Sequence, residues 1–113
     1  MSKSNTFEND LLLLIFNNTD IANIGDAGGL QNSAAAGDLY VALHTADPGE
    51  AGTAATSEAT YGSYDRVAVA RSGAGWTVAG NSATNAALVQ FPECTSGSET
   101  ITHVSITVGG TPT

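Results

Sequence analysis

Residues Asp10 to Phe16 read DLLLLIF, six consecutive large apolar side chains behind one acid. A helix on a protein surface carries apolar residues at i, i+3, i+4 and i+7 and keeps its opposite face polar. Here Leu11, Leu14 and Ile15 make one stripe, while Leu12, Leu13 and Phe16 fill much of the remaining circumference. A helix that is apolar nearly all round must be covered nearly all round. A chain of 113 residues with few aromatics has limited means of doing that alone. The run therefore predicts a subunit of an assembly, a homo-oligomer or a partner of other proteins. Phe7, Leu11, Leu12, Leu13, Leu14, Ile15 and Phe16 are its expected interface residues.

Asn5 and Glu8 have capping-box spacing and predict a helix that runs to about Phe16 or Asn17. Glu8 and Asp10 in its first turn suit the helix dipole. A short helical or turn piece is expected around Ile21 and Ile24. Gly25 to Gly37, with Gly28 and Gly29, reads as a flexible connection. Residues 1–37 thus form an interface arm and residues 38–113 a β domain.

From Asp38 the period changes from helical to alternating. In DLYVALHT, Leu39, Val41 and Leu43 face one way and Tyr40, Ala42 and His44 the other, which is strand periodicity. Asp47-Pro48-Gly49 is a turn signal, and Glu50 to Tyr64 reads as a long polar loop of the kind that is often functional or interfacial. Arg66 to Arg71 predicts a second strand with Val67 and Val69 inward. Trp76 to Val78 predicts a third, and Gly80 to Asn85 a polar stretch. Ala87 to Phe91 predicts a fourth strand ended by Pro92. Ile101 to Val108 predicts a fifth, with Thr102, Val104, Ile106 and Val108 on one side. Short strands at even spacing imply a mainly β fold, a small antiparallel β-sandwich or jelly-roll-like body behind the N-terminal α-helix. No internal repeat is visible.

Composition supports that class, with 13 Gly and only 12% charged residues. The net charge is −8, from 11 acids against Lys3, Arg66 and Arg71, which argues against a nucleic-acid partner. Cys94 is the sole cysteine and cannot form an intrachain disulfide. The start of the chain does not read as a signal peptide: Glu8 and Asp10 precede the apolar run and Asn17 and Asn18 end it. That run is too short to span a bilayer, and it lacks the Lys and Arg of an interfacial membrane anchor.

Candidate chemistry is sparse. His44 with Asp38 and Asp47 suggests a metal or acid–base cluster. The competing reading is a hydrogen-bonded strand-end histidine and an Asx turn before Pro48, and it is the stronger one. Cys94 and His103 would need adjacent strands to form a nucleophile–base pair, and no thiol-enzyme signature flanks them. Asp47, Glu50, Glu58 and Asp65 lack the spacing of a calcium loop. Gly28-Gly29 and Gly73-Ala74-Gly75 lack the strand and helix context of a phosphate cradle. Trp76, Tyr61 and Tyr64 would suit a sugar-stacking receptor module, but a lone Trp in a short strand is more often core. No catalytic residue, metal site or cofactor is expected.

Four blocks carry a family resemblance: NTFENDLLLLIFN from Asn5, LYVALHTADPGEAG from Leu39, YDRVAVARSGAGWTVAGN from Tyr64 and NAALVQFPECTSGSETITHVSI from Asn85. Together they resemble a family of small tailed-bacteriophage virion proteins often labelled tail fibre proteins. The resemblance implies a non-enzymatic virion protein. Asn17-Asn18-Thr19 fits a glycosylation sequon, which a phage product would not use. Size, acidity and the apolar helix lead us to expect a capsid decoration (cement) subunit held to the major capsid protein or other virion proteins. A tail fibre or baseplate component is the alternative and a carbohydrate receptor module a further one. Members of the family continue past the THVSI segment, so the resemblance also implies a sheet edge that another subunit or a further segment would fill.

Overall fold

A computed structural model of the chain describes residues 4–110. It contains one helix, α1 (Asn5–Asn17), and five strands: β1 (Asp38–His44), β2 (Val67–Ala70), β3 (Trp76–Ala79), β4 (Ser82–Asn85) and β5 (His103–Thr107). The fold is mainly β with an N-terminal helix, as the periodicity predicts. The chain divides into two compact units. One joins the N-terminal stretch through Asp38 to Ala70–Leu88, and the other joins Leu39–Val69 to the chain from Val89 onward.

In the first unit, α1 starts one residue earlier than the capping-box reading places it. Ser4 is the N-cap, and its hydroxyl accepts from the Phe7 amide at 3.3 Å. Asn18 closes the helix in the left-handed conformation (φ 55°), its amide donating to Leu13. The following stretch is a fastened loop rather than a flexible connection. Ile21 and Leu30 exchange backbone hydrogen bonds at 3.0 and 2.9 Å, and Asn18 and Asp20 side chains hold the Ser33 and Asn32 amides at 2.8 and 2.6 Å. Gly29, at φ +62°, lies so near the Ile21 carbonyl that a Cβ there would collide with it.

β3 and β4 form an antiparallel hairpin with Ala79 opposite Ser82, turning on Gly80 (φ +61°) and Asn81. The strand Ser82–Asn85 is polar, and no hydrophobic alternation marks it. Ala87 to Phe91, expected as the fourth strand, is not one: Leu88 is 84% exposed. Here the alternation misleads.

In the second unit, β1 is the centre of a three-stranded sheet in the order β2-β1-β5. β1 and β5 run antiparallel, with Val41 opposite Ile106 and Leu43 opposite Val104. Leu39, Val41 and Ala42 are buried. Glu50 to Tyr64 is tied down, not open: Thr45 and Leu43 bond Ser57 and Ala59 at 2.8 and 2.9 Å. The segment after Val89 is clipped onto the same stretch. Gly62 and Ser96 form a bridge, and the Glu99 carboxylate accepts from the Thr60 and Tyr61 amides at 2.8 and 3.0 Å.

Candidate interaction surface

α1 rests on the β3–β4 hairpin and has no fully buried residue. Leu11, Leu12, Leu13, Leu14 and Phe16 are half-buried, while Phe7 and Ile15 are 38% and 43% exposed. Phe16 meets Trp76 edge to face, ring centroids 4.9 Å apart. Leu11, Leu12 and Ile15, with Glu8 and Asn81, line an open cleft of about 360 Å³. The Asn81 amide donates to Glu8 Oε2 at 3.1 Å at its rim. Arg71 holds the other end of the helix. Its Nε and Nη2 donate to the Ile15 and Leu14 carbonyls at 2.6 Å each, and its Nη1 to Ala36 at 3.2 Å. The last turn of α1 has no basic residue of its own, so Arg71 supplies the positive charge its dipole lacks.

The other candidate residues are occupied by structural work. His44 is fully buried. Its Nδ1 lies 2.9 Å from the Thr56 carbonyl and its Nε2 2.8 Å from Ser105 Oγ. A carbonyl only accepts, so Nδ1 is the donor in its contact with Thr56. Asp47 makes its Asx turn, accepting from the Gly49 amide at 2.9 Å. Cys94 turns its thiol to the Ser96 carbonyl, and His103 bonds Thr102. Among the described residues no group of three or more His, Cys, Asp or Glu could hold a metal ion. No helix among them is long and apolar enough to cross a membrane. Trp76 is 4% exposed and is core, not a stacking platform. Tyr61 and Tyr64 spend their hydroxyls inside their unit, on the Pro92 carbonyl and on Glu58.

Sequence reasoning missed one buried cluster. Arg66 Nε and Nη2 donate to Glu58 Oε1 and Oε2 at 2.7 and 2.8 Å. Tyr64 donates to Glu58 Oε1 at 2.8 Å and accepts from the Leu43 amide at 3.1 Å. The guanidinium holds the Glu58 carboxyl below its ordinary range, and burial pushes the Tyr64 phenol up to about 12. The nearest signal was a Glu eight residues before an Arg in a chain with few charges, which is too weak to assign. This cluster is buried within the sheet unit.

The chain is acidic, with a net charge of −8, and α1 leaves Phe7 and Ile15 exposed. The family model for the podophage GP4 fiber I protein gp80 matches residues 2–111. The chain belongs to that family. It is therefore a phage structural protein of the fibre class, a component of the virion. No curated protein and no solved structure matches the chain significantly.

Proposed function

We propose that the chain is a non-enzymatic component of a phage tail fibre, joined to neighbouring virion proteins through α1. The supporting observation is the match to a fibre family over nearly the whole chain, 2–111. The small size, acidity and apolar helix that suggest a capsid decoration subunit suit a tail component equally, and the fibre family favours the tail. Absence of heptads or repeats from the sequence favours a connector or tip over a shaft. Phe7, Leu11, Leu12 and Ile15 form the contact surface, while Phe16 packs on Trp76 of the helix's own unit. Covering that surface with a second copy or another virion protein removes apolar area from water at about 25 cal/mol per Å².

Cryo-electron microscopy of intact particles tests the reading. A few copies at the tail, with density over Leu11, Leu12 and Ile15, is the expected result. Many symmetric copies on the capsid shell would overturn it in favour of decoration.

A further inference from the structure

We propose that the cleft between α1 and the β3–β4 hairpin takes an apolar side chain of a different virion protein, with a Lys or Arg of the same segment set on Glu8. The proposal rests on the reading of α1 as the chain's contact with the virion and names what that contact holds. A second copy of the chain is not the occupant.

Glu8, Leu11, Leu12 and Ile15 fall at i, i+3, i+4 and i+7 and make one stripe along α1. They form one wall of the cleft of about 360 Å³, and Asn81, in the turn between β3 and β4, stands on the other. A cleft of this size receives inserted side chains, the way anchor residues fill pockets at the centre of an interface. The acid sits at the rim. Asn81 Nδ2 donates to Glu8 Oε2 at 3.1 Å, while Oε1 has no hydrogen bond and no cation among the described residues. Covering Leu11, Leu12 and Ile15 takes water from this half-buried carboxylate as well. An occupant that is purely apolar would leave the charge desolvated and unpaired, which is costly. An occupant that carries a cation beside its apolar residue satisfies both.

The chain itself cannot readily supply that cation. Its Lys and Arg residues are Lys3, Arg66 and Arg71. Arg66 is buried against Glu58. Arg71 spends its guanidinium on the Ile15, Leu14 and Ala36 carbonyls. Neither reaches a Glu8 on another copy without breaking those bonds. Lys3, outside the described residues, is then the single such cation a second copy could offer, against 11 acids. Two chains of net −8 also repel. Charge complementarity therefore selects a different, basic protein segment over a second copy.

Photo-crosslinking in assembled particles tests this. The photoreactive residue p-benzoylphenylalanine is placed at Ile15 on one wall or at Asn81 on the other, and the crosslinked segment is read by mass spectrometry from purified virions. Both positions should reach the same segment of another virion protein, one with a large apolar residue and a Lys or Arg beside it. Glu8→Lys should cut incorporation of the chain into particles at least about tenfold. Replacing the crosslinked Lys or Arg by Glu in the partner should restore it. Glu50→Lys makes the same change in net charge at an exposed residue outside the cleft and should leave incorporation at the wild-type level. A crosslink to a second copy or to a segment without Lys or Arg would overturn the proposal. So would incorporation with no crosslink from either wall, or a Glu8→Lys loss that the reversed partner fails to restore. Absence of the chain from particles would overturn it together with the tail-fibre reading. The two readings otherwise fail separately. A basic, apolar segment on a capsid protein would keep this contact and overturn the tail location, and a tail segment without a basic residue would do the reverse.

Discussion

Arg66 and Glu58 form a two-pronged ion pair, 2.7 and 2.8 Å long, with side chains 0% and 4% exposed. Arg66 also donates to the Gly109 and Ala54 carbonyls at 3.0 and 3.3 Å, so it ties β2's approach, the loop and the end of β5 together. Removing one partner leaves the other charged and buried. Arg66→Ala or Glu58→Ala should each destabilise the chain by about 3–5 kcal/mol in urea unfolding. The double variant Glu58→Leu/Arg66→Met should cost less than the sum of the two single changes, because no orphan charge remains. Additive costs would show that the two groups are not coupled.

The same cluster sets the pH response. Glu58 has its folded pKa depressed, so its contribution is present above the unfolded carboxylate value and is lost as pH falls through the folded one. Tyr64 has its folded pKa raised to about 12. Its contribution is complete below the unfolded value, about 10, and is lost as pH rises from there through the folded value. Thermal midpoints should therefore fall below about pH 4 and again above about pH 10. In an absorbance titration Tyr64 should ionise late, near 12, and Tyr64→Phe should remove that phase. A titration without that late phase would contradict the buried phenol.

Arg71 sits 56 residues beyond Ile15 in sequence yet caps the helix that Ile15 belongs to. Arg71→Met keeps the stem and removes the donors to Leu14 and Ile15. It should cost about 1–3 kcal/mol and speed amide exchange in the last turn of α1. Arg71→Lys should recover only part, since a single ammonium cannot span both carbonyls in the guanidinium's fork. Full recovery by Lys would mean that charge alone, not the fork, holds the helix end.

What the sequence made legible follows from where the pattern is strong. DLLLLIF marks α1, and the alternation in DLYVALHT marks β1, because both elements bury or half-bury most of what they carry. β4 was invisible because SATN has no apolar residue larger than Ala, and its pairing comes from the turn at Gly80. AALVQF looked like a strand because its residues alternate, but Leu88 faces water and the segment after Val89 is held through Ser96 and Glu99. The connection after α1 looked loose because glycines and small polar residues carry no period. Its order lies in Asn18, Asp20 and Asp26 side chains, which bond backbone groups and leave no hydrophobic signature. Along α1 the apolar bulk was legible, but which side chains face out was not: of the apolar residues only Phe7 and Ile15 are exposed, and an exposed Ile reads the same in sequence as a half-buried Leu.

Phe16 and Ile15 are neighbours on α1 but stand in different surroundings. Phe16 is half-buried and lies edge to face with Trp76, while Ile15 is 43% exposed beside the cleft. Phe16→Ala should lower stability by about 2–4 kcal/mol, since it removes both buried area and the ring contact. The chain has one tryptophan, so its emission reports this site alone and should change as the ring loses its neighbour. Ile15→Asp should change stability by no more than about 0.5 kcal/mol, the range of surface substitutions, and leave Trp76 emission unmoved. It should nonetheless reduce incorporation of the chain into particles, measured by quantifying the protein on purified virions. If Ile15→Asp particles carry the chain at wild-type level while Phe16→Ala particles lose it, α1 serves its own unit and the contact surface lies elsewhere.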